Sequence, residues 1–278
     1  MYKESHLTTN DNKYIFIREW IPENDPKAII FYVHGLGSHS GRMAFWAEKF
    51  NHEGFAFIAH DHRGHGKSGE KRGFPKKFNY LVNDTRLMVK RLREAFPDKK
   101  IILYGHSLGG SVAINYVISE AQTADALIVT SPWLKLTHPP KKSLITLINI
   151  LNKFLPGLTV SNKLDSKDLS RNEDVAVKYR EDPLVHDQIS AGLLKTAHEA
   201  GLHALRNVYK INCPFLIMHG SADNITSHKA SENYVMNTSD RTHLKIWEGA
   251  YHELHNEPEK EDVFNYIIEW IRNSKLLD

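Results

Sequence analysis

The stretch YGHSLGGS, residues 104–111, places Ser107 at the centre of a G-x-S-x-G pattern running from Gly105 to Gly109. A serine hydroxyl is a weak nucleophile at neutral pH. It needs a base to take its proton, and the base needs an acid to fix its tautomer and stabilise its imidazolium. Later segments supply both residue types: FLIMHGSADNIT contains Asp223 and HLKIWEGAYHELH contains His252. A second constellation competes with this one. HDHRGHGKSG sets His60, His62 and His65 at the H-x-H-x-x-H spacing used by dinuclear zinc hydrolases, and zinc favours imidazole nitrogen. The candidate chemistries are therefore acyl transfer through a serine and metal-assisted hydrolysis.

The elements around these residues favour the serine. Apolar segments of strand length alternate with longer segments of helical period, which predicts an α/β chain with a mainly parallel sheet. Strands are expected over 13–20, 27–35, 54–62, 99–107, 124–132, 214–220 and 243–249, and helices near 43–53, 78–95, 108–119, 190–208, 228–236 and 259–273. Ser107 then falls where KKIILYGHS ends and LGGSVAINYVIS begins, almost without a connection. That context turns a common pattern into a nucleophile elbow, whose glycines let strand and helix approach closely. A phosphate-binding loop would need a terminal Lys-Ser/Thr, which is missing. In chains built around such an elbow the order is serine, acid, histidine, each partner on a loop after a later strand. Asp223 and His252 fit that order. Asp182, Asp187 and Asp240 lie in or between other segments, where solvated or capping carboxylates are expected. His255 rivals His252 but stands further along its loop, where a solvent-facing side chain is expected. The oxyanion formed on attack requires fixed N–H donors, here the backbone amides of Leu108, after the nucleophile, and Leu36, in the glycine-bearing loop HGLGSHSGR.

The composition sets limits on partners. With 278 residues the chain fits one large α/β domain with an insertion, and 41% hydrophobic and 25% charged residues are ordinary for a soluble globular protein. A net charge of +3 with interspersed signs gives no nucleic-acid footprint. The single cysteine, Cys213, excludes an internal disulfide framework and suits a reducing compartment. The N-terminal segment lacks the apolar stretch of a secretory signal, and no run approaches the length of a spanning helix, so a cytoplasmic protein is expected. The composition fixes no oligomeric state.

HGLGSHSGR, DHRGHGKS, GHSLGG, LSRNEDVAVKYREDPLVH and GSADNITS with EGAYHELHNE, spread from about residue 30 to 260, together resemble the monoacylglycerol lipase and lysophospholipase branch of the α/β-hydrolase family. The resemblance implies an α/β-hydrolase fold and a triad of Ser107, Asp223 and His252, agreeing with the spacing. It implies no cofactor and no metal: the D-x-R-G-x-G-x-S block is a shaping loop in relatives, with Asp61 and Arg63 setting its geometry and the histidines as passengers. The residues point the same way, because the dinuclear motif usually has an aspartate before its last histidine and this chain has Gly64. Arg42 and His106 match positions that resemble polar contacts for a glycerol moiety. Relatives acting on monoglycerides often carry glutamate where this chain has Ser38, which leaves the head group less defined than the reaction.

Past Pro132 the alternation breaks, and residues 132–194 show no obvious strand. A mainly helical cap is expected there, inserted into a core of 1–131 and 195–278. Its segment KKSLITLINILNKFLPG carries Leu144, Ile145, Leu147, Ile148, Ile150, Leu151, Phe154 and Leu155 over more than half of a helical circumference. Such a helix suits the lining of an acyl tunnel, contact with a membrane surface, or burial between cap and core. The expected activity is hydrolysis of a lipid ester, monoacylglycerol to glycerol and fatty acid, through an acyl-Ser107 intermediate. Lysophospholipase or short-chain carboxylesterase activity is the alternative within that class. A metal hydrolase on the histidine run and a non-catalytic ligand-binding protein are the readings outside it.

Overall fold

In the computed structural model, which describes residues 1–120, 124–139, 142–155, 157–238 and 241–277, the chain opens with an antiparallel pair, β1 (Tyr2–Thr8) and β2 (Tyr14–Trp20). The alternation then starts with β3 (Ile29–Val33), α1 (Ala44–His52), β4 (Ala56–His60), α2 (Asn79–Ala95), β5 (Ile101–His106), α3 (Leu108–Ser119) and β6 (Ala126–Thr130). Strands β3 to β6 are buried at every position, as their predominantly apolar sequences require of strands covered on both faces.

The expected interruption follows. It contains α4 (Lys142–Phe154), β7 (Thr159–Ser161), α5 (Glu173–Glu181) and β8 (Gln188–Ser190). The absence of strands expected there is corrected: β7 and β8 pair antiparallel over three residues each, too few to leave a periodic pattern. α6 (Ala191–Arg206) straddles the boundary expected at residue 194. The alternation resumes with β9 (Phe215–Gly220), α7 (His228–Val235), β10 (Thr242–Trp247) and α8 (Lys260–Asn273).

Eight strands form one sheet in the order β1-β2-β4-β3-β5-β6-β9-β10, antiparallel through β1, β2 and β4 and parallel from β4 to β10. The order reverses at β3, the topological switch point where α/β sheets place their sites. Period two divides the core. Ile29, Phe31 and Val33 face Leu81, Met88, Val112 and Leu193 of α2, α3 and α6, whereas Ala28, Ile30 and Tyr32 face Trp46, Phe50, Phe264 and Ile267 of α1 and α8. Burying each such large side chain contributes about 1.5–3 kcal/mol. The carboxyl ends of β3, β4, β5, β6, β9 and β10 share one edge, and the loops that follow them carry the chemistry.

Candidate active site

Ser107 joins β5 to α3 at φ 55° and ψ −118°, a conformation that non-glycine residues adopt only under strain. The strain is held by backbone crowding. A Cβ on Gly109 would stand 2.0 Å from the Val33 carbonyl oxygen, and one on Gly105 would stand 2.5 Å from that of Gly109. No side chain fits at either position, so the start of α3 is pinned against β3. Ser107 is 7% exposed, lines a cavity, and its side chain makes no hydrogen bond among the described residues.

Asp223 follows β9 and His252 follows β10, as expected. His252 Nδ1 lies 2.7 Å from Asp223 Oδ2. Asp223 Oδ1 accepts the amides of Ile225 and Thr226 at 2.7 and 2.9 Å, and Oδ2 also faces the Thr226 hydroxyl at 2.9 Å. Burial pushes this carboxyl upward, but the His252 and His219 imidazoles overcome that and hold it well below the usual carboxylate range. It therefore stays ionised, and His252 carries its hydrogen on Nδ1 and turns Nε2 away from the acid. The loop bearing His252 is tied down by Ser131, whose Oγ donates to the His252 carbonyl at 2.7 Å, and by the Glu253 amide, which donates to the Leu169 carbonyl at 2.7 Å.

The amides of Leu36 and Leu108 donate no hydrogen bond among the described residues. Leu108 opens α3, where unsatisfied N–H groups and the positive end of the helix dipole point outward. A Cβ on Gly35 would come within 3.2 Å of Ser107 Cβ, which places the Gly35–Leu36 turn beside the nucleophile. Two histidines hold that turn. The His62 amide donates to His34 Nε2 at 2.8 Å, His34 Nδ1 therefore donates to the Gly35 carbonyl at 2.7 Å, and His62 Nε2 donates to the His34 carbonyl at 3.1 Å. The reading of the histidine run as passengers is thus corrected for His62, which braces the loop bearing Leu36. Asp61 and Arg63 shape the same region: Asp61 accepts from the Ser40 and Lys67 amides, and Arg63 pairs with Asp84 at 2.6 Å. Among the described residues no group of three or more His, Cys, Asp or Glu side chains is arranged to hold a metal ion.

Arg42 sits one step behind the cavity wall. It forms a bidentate pair with Glu253 at 2.6 and 2.8 Å, donates to Ser38 Oγ at 3.3 Å, and covers the Tyr179 ring at 4.8 Å. Ser38, Tyr179 and Glu253 line the cavity. Burial opposes ionisation of Glu253, yet the Arg42 guanidinium holds its carboxyl far below the ordinary range. His106 also lines the cavity, bonds Thr130 Oγ1 through Nδ1 at 3.0 Å, and has its ring 4.8 Å from that of His252. His255 is not solvent-facing, a second correction. The turn Leu254–Asn256 folds inward, the Trp46 indole donates to the His255 carbonyl, and burial lowers the imidazole to about 4. Asp182 accepts the Leu184 amide and pairs with His39, 143 residues away in the chain, and Asp187 accepts from the Gln188 side-chain amide, so both are structural. Asp240 lies outside the described residues.

The cavity over Ser107 has a volume of about 590 Å³, within the range of small-molecule sites. Trp133, Leu136, Leu147, Ile148, Leu151 and Leu194 give it an apolar wall, largely from the inserted segment and α6. Ser107, His252, Leu36 and His106 thus meet at one opening, with Asp223 and Leu108 directly behind. Reasoning from sequence missed Glu253 and His219. The H-x-x-x-D spacing of His219 and Asp223 was the available signal for the second.

Residues 24–259 match the Hydrolase_4 family, described as serine aminopeptidase, S33. The chain belongs to this family. It is accordingly a serine hydrolase, and its α/β-hydrolase fold is the Hydrolase_4 scaffold. Mouse monoglyceride lipase is 35% identical over 277 residues, covering 96% of this chain and 89% of the relative. An abhydrolase domain-containing protein of Dictyostelium discoideum is also 35% identical over 96% of this chain, which spans only 29% of that longer relative. The crystal structure of Paleococcus ferrophilus monoacylglycerol lipase superposes with a TM-score of 0.87 at 32% identity, covering 94% of this chain and 99% of the other.

Proposed function

We propose that this protein hydrolyses monoacylglycerol to glycerol and a fatty acid, with Ser107, His252 and Asp223 as its triad. His252 Nε2 takes the Ser107 proton as Oγ attacks the ester carbonyl. The amides of Leu36 and Leu108 receive the oxyanion, and the imidazolium, stabilised by Asp223, gives its proton to the departing alcohol. Water then enters and His252 repeats the cycle on the acyl-enzyme. The observation that carries this reading is the Ser107–His252 opening onto an apolar cavity: an acyl chain gains about 0.8 kcal/mol per buried methylene there. At the head-group end, His106 and Ser38, with Ser38 held by the Arg42–Glu253 pair, offer hydrogen bonds to a polyol.

Residues 132–194 serve as the cap in this reading, and α4 serves two environments. Ile148 and Leu151 face the cavity, while Ile150 and Phe154 are 52% and 69% exposed beside an exposed Leu155. The side chains of Leu144 and Ile145 lie outside the described residues. That outer face suits contact with a lipid surface from which substrate is drawn; no described helix is long and apolar enough to cross a membrane. The single cysteine fits a reducing, cytoplasmic setting.

The test compares kcat/KM for monoacylglycerols, lysophospholipids, short aryl esters and aminoacyl anilides, with Ser107→Ala as control. Monoacylglycerol should lead, and Ser107→Ala should lose several orders of magnitude of activity while remaining folded. Preference for short esters or anilides would overturn the substrate, and turnover by Ser107→Ala would overturn the mechanism. Flotation with phosphatidylcholine vesicles should weaken in Phe154→Glu, and equal flotation would remove the membrane contact.

A further inference from the structure

His219, the penultimate residue of β9 and four residues before Asp223, is fully buried and does not line the cavity. Its Nε2 lies 3.0 Å from Asp223 Oδ2 and 3.0 Å from the Thr226 carbonyl oxygen. Both are acceptors, so Nε2 carries the hydrogen. Nδ1 lies 2.8 Å from Ser231 Oγ, which holds the other side of the ring. This network puts a hydrogen on Nε2 and directs it at the oxygen that also bonds His252 Nδ1. Two imidazoles therefore share one carboxylate oxygen, one facing the cavity and one sealed beneath it. The titratable groups facing His219 are Asp223, His252 from the loop after β10, and His228 of α7, whose ring centre is 6.4 Å away.

We propose that His219 is a positioning residue for the reaction: its Nε2–H fixes the Asp223 rotamer and draws off part of the carboxylate charge, setting the basicity of His252. The inference rests on the triad reading above. Without this donor, Asp223 would concentrate more negative charge on the His252 imidazolium and hold it less firmly. His252 would then become harder to deprotonate and would be aligned for less of the time.

The experiment measures pH profiles of kcat and kcat/KM for His219→Leu and His219→Gln beside Ser107→Ala. His219→Leu, which fills the space without a donor, should lower kcat about tenfold with little change in KM, and should move the acid limb of kcat/KM upward by about half a pH unit or more. His219→Gln, whose amide can donate to Asp223, should restore most of both. A His219→Leu enzyme with an unmoved acid limb and unchanged kcat per folded molecule would overturn the proposal, as would a glutamine variant no better than leucine. Should the leucine variant not fold, ¹⁵N NMR of the native protein decides: a hydrogen on His219 Nε2 supports the proposal, and a ring that carries its hydrogen on Nδ1 alone overturns it. Activity surviving in Ser107→Ala would instead refute the triad on which the inference stands.

Discussion

Acid should destabilise this protein well before most of its carboxylates are protonated. His34, His60 and His255 are buried, and burial lowers them from 6.5 to about 4, 3 and 4. Neither ring nitrogen of His60 has a hydrogen-bond partner among the described residues, and its ring lies tilted 5.5 Å from that of Phe31. In the unfolded chain each imidazole takes up a proton below about pH 6.5, whereas the folded chain keeps it neutral to about pH 4 or below. The unfolded state therefore binds more protons, and stability is full above pH 6.5 and falls as pH drops through that window. At pH 5 each group costs about 2 kcal/mol. Asp84 works the other way, because burial against the pull of Arg63 raises its carboxyl to about 6. It returns about 1 kcal/mol. These four groups alone remove about 5 kcal/mol between pH 7.5 and 5, comparable with the whole stability of many domains, and the other buried histidines, lowered by burial as well, add to the loss. Urea melts followed by far-ultraviolet circular dichroism at half-unit pH steps measure it directly. His60→Phe, close in shape and uncharged, should recover about 2 kcal/mol of the loss at pH 5. A stability constant within about 1 kcal/mol over this range, or an unchanged slope in His60→Phe, would refute the reasoning.

Other perturbations read the site and its scaffold. Gly109→Ala forces a Cβ to 2.0 Å from the Val33 carbonyl oxygen and should cost about 3 kcal/mol or more, lowering Tm by about 10 °C, whereas Gly249→Ala, with open space around its Cβ, should cost about 1 kcal/mol. Asp223→Asn removes the charge that stabilises the His252 imidazolium and should lower kcat by about 10⁴-fold with native circular dichroism, as carboxylate removal does in other serine triads. Leu151→Asp puts a charge in the acyl wall and should depress kcat/KM for long-chain monoacylglycerols far more than for short ones; equal losses across chain lengths would place the acyl chain elsewhere.

The parallel core was legible because its strands are unbroken apolar runs and its helices are periodic, and the elbow because Gly105 and Gly109 bracket a serine at a strand–helix junction. β1 escaped because Lys3, Glu4, Ser5 and His6 lie on an exposed edge strand, held mainly by backbone pairing with β2. Pairing along an edge leaves little trace in side-chain pattern. His255 was misplaced because a short inward turn has no periodicity, and the Trp46 anchor lies over 200 residues away in the chain. Glu253 was illegible for the same reason, since only folding brings Arg42 beside it. The histidines at 60–65 were ambiguous as types; tertiary hydrogen bonds make His62 a brace for the oxyanion turn.

β10 has β9 as its sole neighbour in the sheet, and its residues are only half-buried. The proposed general base thus hangs from the outermost strand, whereas the nucleophile follows β5, well inside the sheet. Local fraying scales with exposure and with the number of flanking strands. On gentle warming this margin should detach ahead of the interior strands, so turnover fades reversibly while bulk helicity persists, and the molecule switches itself off before it melts.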